Sequence, residues 1–165
     1  MKPKFEEEIE KRGYKVLIWT KVGWVYFFTK KPVHTINDLR AQKMFTYAGD
    51  PEGIKAWRNI GFNPVPISTN DIMSSLQTNM IESISVTPLS AAAFQWFGIA
   101  NNMCDLKWAP LIGGVVIKKS VWDKIPADLR NKLETIASGY IDLGYQTDFS
   151  TNESIYNDNK DIKCK

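Results

Sequence analysis

Nucleophilic, acid–base and metal chemistry each need particular side chains brought together, and this sequence is poor in all three. It has one histidine, His34, which excludes metal sites built on several histidines. A Cys–His pair drawn from Cys104 and His34 has no motif behind it. A lone cysteine is more often a small core residue, and His34 reads as solvated in its Pro-Val-His-Thr turn. Glu82 and Asp105 offer two carboxylates, but nothing in their spacing directs them to one another. Glu6, Glu7 and Glu8 read as an exposed helix face. The phosphate-cradling GxGxxG and Walker loops are absent, as is the nucleophile elbow GxSxG, and the pair Gly113-Gly114 lacks the spacing of any of them. No catalytic residue, metal ligand or cofactor is assigned, and a hydrolase-like reading has no nucleophile to stand on.

The aromatic residues carry more information. Six tryptophans are many for 165 residues. Trp24, Tyr47, Trp96 and Trp108 fall at or just after the ends of expected strands and helices. Ligands of open α/β sheets bind outside the carboxyl ends of the strands, and Tyr47 and Thr87 directly follow two such strands. Core filling is the ordinary fate of any single tryptophan. As a set with Thr87, these residues are expected to gather on one side of a sheet around a concave surface.

The elements that must position them alternate. Phe5 and Ile9, four apart among charges, suggest the end of an amphipathic helix stopped by Gly13. Tyr14 to Trp19 and Val25 to Phe28 read as two strands. Thr35 with Asp38 forms a capping-box pattern for a short helix through Leu39. Lys43 to Tyr47 reads as a strand. Asp50-Pro51 is a strong helix start, with a side-chain cap followed by a residue that needs no amide donor; that helix ends at Gly61. Val65 to Ile67 is the next strand. Ser68 and Asp71 open a helix presenting Ile72, Met73 and Leu76, with Asn79 as a left-handed stop, and Ile81 to Val86 is a further strand. Strand–helix–strand–helix–strand with short connections predicts a parallel sheet covered by helices. Beyond Pro88, residues 89–97 read as one helix closed by Gly98. Leu111 to Ile117 is almost wholly apolar and reads as a buried strand. Ser120 and Asp123 read as caps of a short helical segment. Leu129, Leu133, Ile136, Tyr140 and Leu143 recur at three and four, the pattern of a long amphipathic helix. The last stretch, from about Ser150, is polar.

Composition bounds the function. The chain is 44% hydrophobic and 24% charged, an ordinary globular balance. A net charge of +3, scattered along the sequence, gives no nucleic-acid footprint. Cys104 and Cys164 lie far apart, so no structural disulfide is expected. No stretch has the length of a transmembrane helix, and residues 1–12 show no secretory signal.

Four segments occur in a telling order: Pro32–Arg40 (PVHTINDLR), Gly61–Pro66 (GFNPVP), Leu76–Glu82 (LQTNMIE) and Val116–Pro126 (VIKKSVWDKIP). Together, over about residues 5–145, the chain resembles the C-terminal part of the DctP-type solute receptors of TRAP (tripartite ATP-independent periplasmic) transporters. Asn79 stands where the family has glycine, and Glu82 where it has aspartate. Phe45 stands where it usually has the arginine that pairs with a ligand carboxylate.

The resemblance implies a periplasmic-binding-protein-like α/β architecture: two lobes joined by hinge strands, closing around a small solute that is passed to membrane subunits. It implies residues 1–20 as the end of a first-lobe helix and a hinge strand, 21–110 as the second lobe, 111–150 as a crossing strand and long C-terminal helix, and 151–165 as a polar tail. The expected role is capture of a small organic solute, an organic acid or related metabolite, in the periplasm, without catalysis. Ligand contacts are expected from Trp24, Phe45, Tyr47, Thr87, Pro88, Trp96 and Trp108. Because Phe45 carries no charge, recognition is expected through aromatic stacking and neutral hydrogen bonds, with Thr87 and the amides near Ser85–Pro88 as donors. Expected partners are the solute, the transporter's membrane subunits and a second copy in a homodimer, with no nucleic acid. A chain lacking most of one lobe is also expected to bind weakly and to expose apolar surface. The alternatives are the effector-binding lobe of a regulator, or an inert α/β fragment.

Overall fold

A computed structural model describes residues 2–139 of the chain. The described residues fall into two compact units: residues 2–23 with 110–139, and Trp24–Ala109.

The Trp24–Ala109 unit is a sheet between two helical layers. The long strand β1 (Tyr14–Thr29) supplies its second half to this sheet. Helix α2 (Ile36–Arg40), strand β2 (Lys43–Tyr47), helix α3 (Pro51–Asn59) and strand β3 (Asn63–Ile67) follow. A 3₁₀ turn at Thr69–Asp71 leads into helix α4 (Ile72–Gln77), then strand β4 (Ser83–Val86), helix α5 (Pro88–Ala93), a 3₁₀ turn at Trp96–Gly98 and strand β5 (Asn102–Met103). The strand order is β3-β2-β4-β1-β5. β2 runs parallel to β3, from Lys43 opposite Asn63 to Tyr47 opposite Ile67, and parallel to β4, with Met44 opposite Ser83. β1 pairs antiparallel with β4 and β5, Phe28 lying opposite Ile84 and Met103. The parallel trio expected from the alternating pattern is present, and the sheet as a whole is mixed.

Period-two alternation distributes the core over both faces. Tyr26 and Phe28 of β1 join Ile72 and Leu76 of α4, Ala91 of α5, and Ile81, Ile84 and Trp96 in one buried cluster. Phe27, between them in sequence, joins Leu39, Met44, Phe62 and Cys104 on the opposite face, with Trp57 of α3 packed against them. Local chemistry starts the helices. Thr35 and Asp38 form both arms of the capping box on α2. Asp50 caps α3 by accepting from the Gly53 amide at 2.9 Å, with Pro51 at the first helical position. Asn79 takes the left-handed stop at φ 58°.

In the other unit, helix α1 (Lys2–Lys11) ends at Gly13, which has φ 83°. The first half of β1 pairs with strand β6 (Ala109–Lys118). Helix α6 (Lys119–Trp122) and a further helix, α7, described from 127 to 139, follow. The Trp19 indole donates to Glu6 at 2.6 Å, and the Lys119 amide donates to the Gly13 carbonyl at 2.8 Å.

Several expectations are corrected. The two strands read at 14–19 and 25–28 are one strand of 16 residues. Gly23 carries it through at φ 153°, an angle costly for any residue with a side chain. The single helix expected over 89–97 breaks after Ala93, where Gln95 adopts φ 57°. Ser68 accepts from Asn70 at 3.4 Å in a 3₁₀ turn and does not cap α4. α6 has no side-chain cap, so Ser120 and Asp123 do not play that role. β6 is a strand but is not buried: Leu111, Ile112, Val115 and Val116 are exposed. Leu129, Leu133 and Ile136 of α7 are exposed as well, despite their helical spacing. Tyr140, Leu143, Cys164 and the polar tail lie outside the described residues.

Candidate functional site

A cavity of about 160 Å³ opens in the Trp24–Ala109 unit, lined by residues 44–47 of β2, Ser85 of β4, Trp108, and Asp50, Gly53, Ile54 and Trp57 of α3. Its position follows from the topology. Tyr47 ends β2 and Ser85 lies near the end of β4, and these strands are parallel, so the cavity sits at the carboxyl ends where such sheets bind ligands. Its helical wall is one face of α3, at spacings of three, four and seven from Asp50. At Gly53 a Cβ would run into the Asp50 carboxylate and turn it from its capping position.

The aromatic wall is built ring on ring. Trp108 stacks on Phe27, with centroids 5.5 Å apart and planes 20° from parallel. Trp57 meets Trp108 edge-on at 5.3 Å and Phe62 at 4.8 Å. The Trp108 indole donates to Ser85 Oγ at 2.8 Å, which fixes the ring at the cavity edge. Tyr47 is exposed at the rim. Thr46 is only 7% exposed, and its hydroxyl has no hydrogen-bond partner among the described residues. A buried hydroxyl without a partner is uncommon in a folded protein, and here it belongs to a residue that borders the cavity.

Asp50 is the one charged residue in the lining. Three lysines at the other end of this unit's sheet are engaged there. Lys43, at the opposite end of β2 from Tyr47, donates to the Asn79 carbonyl at 3.0 Å. Lys30 donates to Leu76 and Asn79 at 2.7 and 2.6 Å, and Lys31 pairs with Glu82 at 3.1 Å. That pairing, with the Lys43 amide donating to Glu82 at 3.2 Å, holds the Glu82 carboxyl below its ordinary value. Among the described residues no group of three His, Cys, Asp or Glu side chains is placed to hold a metal ion.

Of the seven residues picked from sequence, Tyr47 and Trp108 meet at the cavity, and Phe45 borders it while its ring packs against the cluster of Tyr26 and Phe28 on the opposite face. The other four do not, and the expectation of a single aromatic surface is corrected accordingly. Trp24 packs against the cluster of Tyr26 and Phe28, and Trp96 lies buried within that cluster, stacked on Phe94 at 4.8 Å. Trp108 belongs with Phe27 on the other face. Thr87 is buried; its hydroxyl caps α5 through the Ser90 amide at 3.3 Å and pairs with the Ser90 hydroxyl at 2.9 Å. Pro88 is the buried first residue of that helix. Asp50, Trp57 and Thr46 were not picked. Their signal was present in Asp50, Gly53, Ile54 and Trp57, a helical face leading from a cap to a tryptophan.

The unit is thus a helix-flanked, parallel-rich sheet with a small aromatic cavity at its strand ends. The chain belongs to the family of bacterial extracellular solute-binding proteins, family 7 (DctP), whose pattern matches residues 1–163. It is 27% identical over 133 residues to the 2,3-diketo-L-gulonate-binding periplasmic protein YiaO of Escherichia coli, covering 78% of this chain and 39% of that one. A TRAP periplasmic solute-binding protein of Sulfitobacter sp. NAS-14.1, solved with bound β-D-galacturonate, superposes with TM-score 0.87 at 16% identity, over 97% of this chain and 53% of that one. One of Chromohalobacter salexigens, solved with bound (S)-(+)-2-amino-1-propanol, does so with TM-score 0.81 at 23% identity, over 99% and 51%. The chain thus spans about half the length of these solved relatives and under two fifths of the curated one. Among the described residues, no helix is long and apolar enough to cross a membrane.

Proposed function

We propose that this chain is a solute-capturing part of a TRAP-type receptor, holding a small organic solute against Trp108, Trp57 and Tyr47 without transforming it. The observation that carries the reading is the cavity at the carboxyl ends of β2 and β4, walled by stacked rings and holding the unpartnered Thr46 hydroxyl. Its mechanism is binding alone: the rings exclude water from an apolar face of the solute, while Thr46 and Asp50 accept or donate at its polar edge. The periplasm is the proposed compartment, and the transporter's membrane subunits are the proposed recipients. Self-association through the exposed apolar residues of β6 and α7 is the proposed basis of a homodimer. Solved relatives with a sugar acid and with an amino alcohol support a solute of that size, and leave both charge classes open to this site.

The test is a titration of residues 1–165 with a panel of sugar acids, dicarboxylates, polyols and amines, followed by the indole N–H resonances. The expected result is a saturable shift at Trp108 for one solute class, weakened about tenfold or more by Trp108→Ala, with the solute recovered unchanged. If every solute leaves the cavity resonances in place, or if a solute is turned over, the reading is wrong.

A further inference from the structure

The charge of the solute can be read from the cavity wall. We propose that this cavity takes a small organic cation, an ammonium group free or alkylated, held by the Asp50 carboxylate and the faces of Trp57 and Trp108. The proposal rests on the solute-capture reading above and names the class of solute for the same site.

Three features point the same way. First, the lining holds one charge, the negative Asp50, and no lysine or arginine. Lys107 neighbours Trp108 in sequence but does not line the cavity. Second, Asp50 uses one carboxylate oxygen, Oδ1, to cap α3. A carboxylate offers about four acceptor sites over its two oxygens, so the cap leaves capacity for an ammonium donor. Third, Trp57 and Trp108 stand 5.3 Å apart with their planes at 68°. The rings touch edge to face and Phe27 covers one face of Trp108, which leaves the cavity side of the pair as the aromatic surface on offer, and a cation within about 6 Å of a ring centroid is attracted by it.

The same features work against an anion. The start of a helix ordinarily attracts negative charge through its unpaired amides. Here Pro51 has no N–H, the Gly53 amide is already bonded to Asp50, and Asp50 supplies the negative charge itself. A carboxylate solute entering this space meets the like charge of the exposed Asp50, with no cation among the lining residues to offset it. Thr46, buried and unpartnered beside the cavity, is neutral and offsets no anion.

The experiment titrates residues 1–165 with choline and ethanolamine as cations, glycerol as a neutral polyol and gluconate as an acid, reading indole N–H shifts. It compares wild type with Asp50→Asn, since asparagine caps a helix about as well as aspartate and only the charge is lost; a thermal melt checks that the variant is folded. Saturable shifts of Trp57 and Trp108 by choline or ethanolamine, weakened about tenfold or more in Asp50→Asn, are expected. Gluconate or glycerol shifting these resonances while both cations fail overturns the charge class and leaves solute capture standing. Cation binding unchanged in Asp50→Asn overturns the role of Asp50 and the proposal with it. Silence from all four probes overturns the proposal; silence across the wider panel as well removes the cavity as a solute site.

Discussion

Phe45 shows how one position reports on chemistry. The family resemblance puts an arginine at this position, and the chain has a ring partly buried against the cluster of Tyr26, Phe28 and Ile84. Phe45→Arg is therefore expected to destabilise the unit by about 1–3 kcal/mol, since the guanidinium must leave that contact or lie in it unpaired. It should confer no acid binding. Urea denaturation and a gluconate titration check this, and tight gluconate binding by a fully stable variant would contradict it. Glu82 carries a second prediction at this scale. Its carboxyl sits below the ordinary value of 4.5, chiefly through its hydrogen bond from Lys31. A depressed folded value means the contribution is present above the ordinary value and is lost as pH falls through the depressed one. The pair is partly exposed, so the effect is under about 1 kcal/mol. Urea midpoints measured from pH 6 to pH 3 should fall less steeply in Glu82→Gln than in wild type. Equal slopes would mean the pair contributes nothing.

At the scale of elements, local rules were legible wherever a side chain meets its own backbone. Thr35 with Asp38, Asp50 with Pro51, Gly13 and Asn79 all do what their types dictate, because caps and left-handed stops depend on residues close in sequence. The parallel trio was legible for the same reason: short capped connections leave few other arrangements. What depends on distant partners was not legible. The side of the sheet on which each tryptophan falls is set by strand register, so Trp24 and Trp108 separate although both read as lying at the ends of elements. Thr87 was assigned to the solute because it follows a strand, yet it is the cap of α5. Thr87→Val is accordingly expected to cost about 1–2 kcal/mol in a urea melt, through the lost cap and the stranded Ser90 hydroxyl. Solute binding should be unchanged, and weaker binding at an unaltered midpoint would return Thr87 to the site.

At the scale of the molecule, the two units differ in how completely they bury what the sequence offers. The Trp24–Ala109 unit closes two clusters, one on each face of its sheet. In the other unit, β6 carries exposed apolar side chains on both its faces, with Ile112 58% and Val115 49% exposed, and Leu129 and Ile136 of α7 add to them. The strand's apolar run was read as buried because such runs usually are covered on both faces; composition says that a strand wants covering, not what covers it. Exposed apolar surface of this kind favours association, and strands with accessible edges favour it further. Residues 1–165 are therefore expected to self-associate reversibly in the micromolar-to-millimolar range where such surfaces interact, seen as a sedimentation coefficient that rises with concentration. Ile112→Thr with Val116→Thr keeps β-branched residues in the strand while removing apolar area from one of its faces. The double variant should sediment more slowly at the same concentration, with its indole response to solute intact, because Trp57 and Trp108 belong to the other unit. A wild-type chain that stays monomeric throughout this range would show that the β6 surface does not drive association. A double variant that associates as strongly as wild type would move the contact away from that face.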